Sequence, residues 1–524
     1  MTRPALARSA GVTGAATLTS RILGLVRDQV LAAYFGAGSD MDAFVVAFRI
    51  PNLVRDLFAE GAMSAAFIPT FTRRLTRHGK ADAWRLANNL INALLLVTGA
   101  IVVAGFLFAT PLVTAYASDF NRVPGKLELT IFLTRIMLPF LTMVSLAAAA
   151  MGMLNSLHHY FVPALSPATF NIATIVGAIV LVPVMPLFGL PPITAIAVSA
   201  LAGGGLQVAI QWPSLRKEGF HYRPTLDLRD SGLHEVLVLM GPGTVGLAAT
   251  QVSLFVNTLL ATSQEAGAVS WLAYAFRLMY LPIGLFGVSI ATATLPAVSR
   301  YAATDDHAGT RRTVAQALGM TIVLCVPATF GLVTLANPIV RLLFEHGRFS
   351  VADTAATAAA LRWYAVGLLG YASVRIVSPV FYAIRESKVP VVVSLCTIAL
   401  SIVLNVVLVR VMGFRGLALG TSIAVLANGA ALLALLHRKL DGIEHLHLAQ
   451  TFIKTLVAAT VMAMVSLATE TLLTRYVPDS SVVAQVIRLF PSIAAGIAAL
   501  AVAAKWLRIR EFDDAVAGAA GRFM

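Results

Sequence analysis

The run SRILGLVRDQVLAAYFGAGSDMDAFVVAFRIPNLVRDLFAEGAMSAAFIPTFTRR, residues 20–74, reads as two membrane helices that carry the wrong residues for membrane helices. Arg21, Arg27, Asp28, Asp42, Arg49, Arg55, Asp56 and Glu60 all fall at or near membrane depth. There each ionised side chain costs on the order of 3 kcal/mol on insertion scales, and more if it faces lipid. Residues kept at that cost line a hydrated cavity or a substrate path, and the rest of the chain is the scaffold that holds the cavity in the bilayer.

The scaffold is legible in the composition. Of 524 residues, 58% are hydrophobic and 12% charged, with a mean hydropathy of +0.82. Soluble domains carry about 25% charged residues. Fourteen apolar spans are predicted, at about 10–35, 41–72, 84–116, 127–155, 161–185, 191–214, 233–262, 268–299, 312–344, 354–384, 389–411, 415–437, 450–474 and 481–505. Their length fits helices crossing a bilayer, whereas a β-barrel would show alternating strands of about 10 residues.

The formal charge of +14 is distributed as topology. Basic loops at 73–85, 216–230, 300–312, 385–388, 437–439 and 505–510 alternate with loops poor in Lys and Arg, such as GAGSDMD and TSQEAG. By the positive-inside rule both termini are cytoplasmic. No single basic patch with interleaved aromatics exists, which argues against nucleic acid. Cys325 and Cys396 both lie in apolar spans, so no disulfide framework or metal spacing is present, and both are read as core packing. No cleavable signal peptide is expected, and no GxxxxGK[S/T] nucleotide motif occurs.

An internal repeat follows from matched residues. Ala47-Phe48-Arg49 recurs as Ala275-Phe276-Arg277, offset by 228 (47 to 275). Pro69 and Arg73 recur as Pro296 and Arg300, Arg135 as Arg362, and Val162-Pro163 as Val389-Pro390, all offset by 227 (69 to 296, 135 to 362, 162 to 389). Spans 1–6 therefore correspond to spans 7–12 in the same orientation, the pattern of parallel-repeat carriers. This sets an N-lobe at 1–230, a C-lobe at 231–440 and an extra helix pair with a tail at 441–524. Lobe one carries the arginine group, while the matching part of lobe two offers Gln251, Ser253 and Asn257 plus Arg277, so the cavity is expected to be cationic, asymmetric and suited to an anion.

On an ideal helix Arg21 and Asp28 share a face, as do Arg49 and Asp56. Gly24 offers a bend in the first helix, and Pro51 favours a kink near Asn52, which joins the candidate substrate-binding set. Guanidinium groups stay charged and fork onto phosphate or carboxylate oxygens. The competing reading makes these residues buried ion pairs, Arg21 with Asp28 and Arg55 with Asp56 or Glu60. As an account of the whole set it fails, because Arg21, Arg27, Arg49, Arg55 and Arg277 outnumber the carboxylates.

The blocks SRILGLVRD (20–28), GAGSDMDAFVVAFRIPNLVRDLFAEGAMSAAFIP (36–69), LNSLHHYFVPALSPATFNI (154–172), SWLAYAFRLMYLPIGLFGVSIATATLP (270–296) and LLFEHGRFS (342–350) resemble the MurJ (MviN) family of bacterial lipid II flippases, within the multidrug/oligosaccharidyl-lipid/polysaccharide exporter superfamily. The resemblance spans essentially the whole chain. It implies fourteen helices in two six-helix lobes plus a C-terminal pair, an inner-membrane location, and lipid II, undecaprenyl-diphosphate carrying N-acetylmuramyl-pentapeptide and N-acetylglucosamine, as cargo for peptidoglycan synthesis. Carried onto matching positions, it implies roles for Arg21, Arg27, Asp28, Asp42, Arg55, Glu60, Arg277 and Arg375. Where some relatives have an acidic residue before the second-lobe arginine, this chain has Phe276. The family's sodium site is not carried over, because the regions around Glu235 and Thr397–Asn405 present no carboxylate cage. No cofactor or metal is expected, and the chain is read as a transporter and not an enzyme. Membrane lipids and the cell-wall elongation or division machinery are candidate partners.

Three alternatives stay open on the sequence: a flippase for another polyprenyl-linked oligosaccharide, a multidrug cation antiporter of the same superfamily, and a membrane prenyl-diphosphate enzyme. The last would need a carboxylate cluster on a metal. The adjacent pairs Asp305-Asp306 and Asp513-Asp514 sit in a loop and a tail, and His158-His159 in a surface loop.

Overall fold

The computed structural model describes residues 3–56, 62–477 and 481–520, and the regular elements among them are helical throughout. In chain order they are α1 (Arg3–Phe35), α2 (Ser39–Arg55), α3 (Ala62–His78), α4 (Lys80–Leu107), α5 (Ala109–Tyr116), α6 (Lys126–Met137), α7 (Phe140–Ser156), α8 (Phe161–Leu181), α9 (Thr194–Lys217), α10 (Ser231–Thr262) and α11 (Ala268–Pro282). Then come α12 (Val288–Ala303), α13 (His307–Thr334), α14 (Ala336–Phe344), α15 (Val351–Val366), α16 (Leu368–Ala383), α17 (Lys388–Met412), α18 (Phe414–Lys439), α19 (His445–Tyr476), α20 (Val482–Trp506) and α21 (Arg510–Ala520).

Among the described residues ten helical stretches are long and apolar enough to cross a membrane, or eleven with the pair α15–α16, bent by 41°, taken as one. The helices at 10–35 and 233–262, and the two described within 41–72, α2 and α3, form but are not among these ten. α1 carries Arg21, Arg27 and Asp28, α2 carries Asp40, Asp42, Arg49 and Arg55, and α10 is apolar over Ser231–Met240 and Gln251–Thr262. Several predicted spans are broken helices. Span 127–155 divides at Pro139, and spans 84–116 and 312–344 divide after Leu107 and Thr334.

The elements repeat as the residues do. Helix α4 maps onto α13 at both ends with the 227-residue shift (80 to 307, 107 to 334). A π turn forms at Ile283–Gly287, and its first residue stands 227 positions after Asp56, where the described run of α2 ends (56 to 283). π turns interrupt the ordinary helical ladder and concentrate at functional sites.

By packing, residues 1–270 with 347–349 form one compact unit, and 271–346 with 350–524 a second. In the first, α1 lies along α8, α8 along α9, and α7 against α9. Helix α10, the first of the second repeat, packs here on α3 and α4. The tripeptide 347–349 of the LLFEHGRFS block also belongs here: Arg348 N–H donates to the Ala33 carbonyl at 2.9 Å. The approach needs glycine on both sides. Gly36 and Gly347 have φ of 63° and 60°, and a Cβ on Gly36 would stand 2.6 Å from the Arg348 carbonyl oxygen. In the second unit α13 packs on α12, α16 and α19, α16 packs on α18, and α19 on α20. Cys325 is buried there as expected, whereas Cys396 is exposed, because its face of α17 points away from α18 and the apolar surface of a membrane helix need not be core.

At the basic-loop end of the first unit an aromatic chain runs Phe67, Phe71, Trp84, Phe220, Trp212, with ring centroids 5.2–5.7 Å apart. Beside it Asp230 caps α10, accepting from the Gly232 and Leu233 N–H groups, and pairs with Arg74 at 2.7 Å. Burial acts to raise the Asp230 pKa, but the Arg74 bond and the two backbone donors outweigh it and hold the carboxyl below its ordinary value. Glu218 is also held low, by Lys80 and then His159. A depressed carboxylate contributes stability that is present above its unfolded pKa and is lost as pH falls through its folded one. Acidification below about pH 4 is therefore expected to loosen this corner, read as a shift in tryptophan emission from Trp84 and Trp212. Asp230→Asn should show the loosened signal already at neutral pH; an unchanged transition in that variant would refute the assignment.

Candidate functional site

Three charged clusters, all within the first unit, account for most of the opening stretch. The first is built on α1. Arg27 Nε and Nη2 both donate to Asp28 Oδ1, at 3.2 and 2.9 Å, while Nη1 donates to Asn171 Oδ1 at 3.0 Å. Asn171, on α8, is itself oriented by donating Nδ2 to the Ser20 carbonyl at 3.0 Å. The guanidinium lies 5.5 Å from the centroid of Phe170, which stacks on Phe48 of α2. An aromatic face and an amide thus fix the arginine, and a single carboxylate oxygen takes two of its N–H groups. This is weaker geometry than a two-oxygen fork. Asp28 pairs with Arg27, not with Arg21 as helical spacing suggested; Arg21 is exposed.

The second cluster lies at the C-terminal end of α2. Arg55 donates Nε and Nη2 to Asp56 Oδ1 at 3.1 and 2.8 Å, and Gln251 of α10 donates to Asp56 Oδ2 at 3.4 Å. Arg55 and Asp56 remain 26% and 30% exposed, so the pair is open to exchange. Four residues before Asp56, at the Pro51 bend, Asn52 donates to the Phe48 carbonyl at 2.9 Å. Its Oδ1 is buried with no hydrogen-bond partner among the described residues. Glu60 lies outside the described residues.

The third cluster is closed. Asp42 is 1% exposed and accepts four bonds: Oδ1 from Ser270 N–H at 3.0 Å and Ser270 Oγ at 2.7 Å, Oδ2 from Gly267 N–H at 2.7 Å and Lys126 Nζ at 2.9 Å. A carboxylate has about four acceptor positions, so Asp42 has none left for a ligand. Lys126 is also buried and lies 4.0 Å from the Phe120 centroid. Asp42 holds α6 and the turn before α11 to α2.

In the second unit Arg277 is exposed on α11. Arg375 of α16 bonds the Tyr280 hydroxyl and lies 5.5 Å from that ring's centroid. Phe276 stacks on Tyr280 at 5.8 Å and meets Tyr364 and Tyr371 edge-on. The phenylalanine at this position thus helps build an aromatic wall beside Arg375.

Sequence reasoning misses Asn171, Lys126 and Tyr280, and it names Gln251 without its partner. Each acquires its role from a residue at least 84 positions away, which no local pattern marks. Asn171 alone leaves a signal in the sequence: it is an amide within the otherwise apolar run FVPALSPATFNI, at membrane depth.

Charged side chains held at membrane depth on a duplicated helical scaffold define a polytopic membrane transporter. The sequence profile described as Lipid II flippase MurJ matches residues 31–487. A probable lipid II flippase MurJ of Bdellovibrio bacteriovorus is 36% identical over 444 residues, 84% of each chain. Lipid II flippase MurJ of Burkholderia cenocepacia is 34% identical over 420 residues, 79% of this chain and 81% of its own. A solved structure of lipid II flippase MurJ in an inward closed conformation superposes with a TM-score of 0.78 at 26% identity, covering 95% of this chain and 98% of its own. An inward-facing multidrug transporter of the MATE family, at 15% identity and TM-score 0.68 over 83% of this chain and 99% of its own, shares the fold. The chain belongs to the lipid II flippase MurJ family.

Breaking one side of the buried Asp42–Lys126 pair strands a charge, which typically costs about 3–5 kcal/mol. Asp42→Asn should therefore lower the thermal unfolding midpoint of the purified protein markedly, and Asp42→Asn with Lys126→Met should recover part of the loss. If the double variant is no more stable than the single one, the buried pair is not what the carboxylate stabilises.

Proposed function

We propose that this chain moves lipid II from the cytoplasmic to the periplasmic leaflet of the bacterial inner membrane by alternating access, with both termini in the cytoplasm and fourteen spans arranged as two six-helix lobes and a C-terminal pair. The observation that carries the reading, beside family membership, is the state of Arg27 and Arg55. Each guanidinium is positioned in advance and held by a neighbouring carboxylate through one oxygen. A diphosphate offers more oxygens and more charge than that carboxylate, so exchange onto it is favourable. Until then Asp28 and Asp56 keep the arginines from standing uncompensated at membrane depth.

In this scheme Arg21, Arg277 and Arg375 extend the cationic surface, Asn52 offers its unsatisfied oxygen to a sugar or amide N–H, and Glu60 supplies a further charge. Asp42 acts as a positioning residue. The polyprenyl tail stays in lipid, and the cell-wall elongation or division machinery is the class of protein partner such a step would serve. An outward-moving anion gains about 2.3 kcal/mol per charge per 100 mV from an inside-negative membrane, so the potential is sufficient to bias turnover. A cation antiporter is the weaker reading: Asp28, Asp42 and Asp56 are each paired with a cation.

The test is complementation in a bacterium whose own lipid II flippase can be shut off, at matched membrane expression. The wild-type chain should prevent lysis, and Arg27→Ala, Arg55→Ala and Arg277→Ala should not. Rescue by all three variants would make these arginines structural. Failure of a properly inserted wild type would move the cargo to another polyprenyl-linked oligosaccharide.

A further inference from the structure

A cleft of about 270 Å³ in the second unit lies where α14 begins, at the helix ends opposite the basic loops 300–312 and 437–439. Arg341, Arg362 and Arg488 line it, with Glu470, Gln485 and Asn337. Arg488 is 9% and Glu470 14% exposed in their side chains, and they pair at 2.6 Å, with Thr474 accepting a second bond from the same Nη2. This ion pair joins α19 to α20, the hairpin outside the repeat. Arg341 is engaged by Glu345, one turn along α14, at 3.3 Å.

Arg362 is different. Its Nε donates to the Val333 carbonyl at 3.3 Å, which fixes the plane of the guanidinium, and neither Nη has an acceptor among the described residues. Four N–H donors of a half-buried arginine therefore open onto the cleft with no partner among the described residues. Gln485 adds a buried Oε1 with no partner among the described residues, and since amide oxygen and nitrogen exchange places by a flip, it can offer a donor instead. Helix α14 starts at the same place with no side-chain cap. Unmet fork donors, an adaptable amide and an uncapped helix start all call for an anion with several oxygens. Arg135, the repeat mate of Arg362, also keeps an unpartnered donor, its buried Nε, but it bonds Thr110 and stacks on Phe106, and no extra hairpin brings Gln485 and Arg488 to it.

We infer that this cleft binds the phosphate head of a membrane lipid, with Arg362 as the principal fork and the α19–α20 hairpin as the wall that completes the site. The inference does not rest on the flippase reading. The phosphate can come from a resident anionic phospholipid or from a polyprenyl phosphate, and the test separates them.

Native mass spectrometry of the full chain released from detergent would be run with phosphatidylglycerol, phosphatidylcholine of the same acyl chains, undecaprenyl phosphate and inorganic phosphate. Retention of phosphatidylglycerol or undecaprenyl phosphate over phosphatidylcholine is expected, reduced about tenfold in Arg362→Gln and less in Arg362→Lys, which keeps the charge and loses the fork. Arg135→Gln should leave it unchanged. Preference for undecaprenyl phosphate identifies a polyprenyl source, and preference for phosphatidylglycerol a bulk-lipid source. Equal retention by wild type and Arg362→Gln, with both monodisperse, or binding of inorganic phosphate alone, would overturn the proposal.

Discussion

An ionised group in a bilayer must carry its compensation with it, and the charged first lobe is organised by that constraint. Asp42 meets it completely, with four donors from three residues, and so becomes a fastening. Arg27 and Arg55 meet it through adjacent carboxylates, with single-oxygen contacts that a better anion can displace. The distinction lies in the donors and not in the residue type. A saturated, wholly buried carboxylate has nothing to exchange, whereas the partly exposed Arg55–Asp56 pair does.

Duplication supplies the frame on which these charges are hung. Helices α4 and α13 keep the same register after the copies diverged in composition. One copy holds its arginines with carboxylates and amides, the other places Arg375 against Tyr280 in an aromatic wall. Helix breaks survive in both copies, after Leu107 in one and Thr334 in the other. The added hairpin α19–α20 pairs with the second copy and brings Glu470 and Arg488 to a place the first copy leaves plain.

What the sequence determined by itself was set by period and composition. Apolar runs of bilayer length made an all-helical membrane protein, and the 227-residue offset made a repeat that the ends of α4 and α13 reproduce. Blocks such as SRILGLVRD and PNLVRD marked the family and pointed to Arg27 and Arg55, because charge inside an apolar run is conspicuous without any structure. Tertiary structure alone decided the partners. Helical spacing put Asp28 beneath Arg21, yet it binds Arg27, since an adjacent guanidinium that Asn171 helps to hold can fold back onto the carboxylate. Asp42 changed from a cavity residue to a clasp once Lys126, Gly267 and Ser270 converged on it, and Cys396 changed from core to surface. Each of these outcomes depends on what the neighbouring helices bring to a residue, and local periodicity, which reports only which face of a helix a residue occupies, carries no information about what that face will meet.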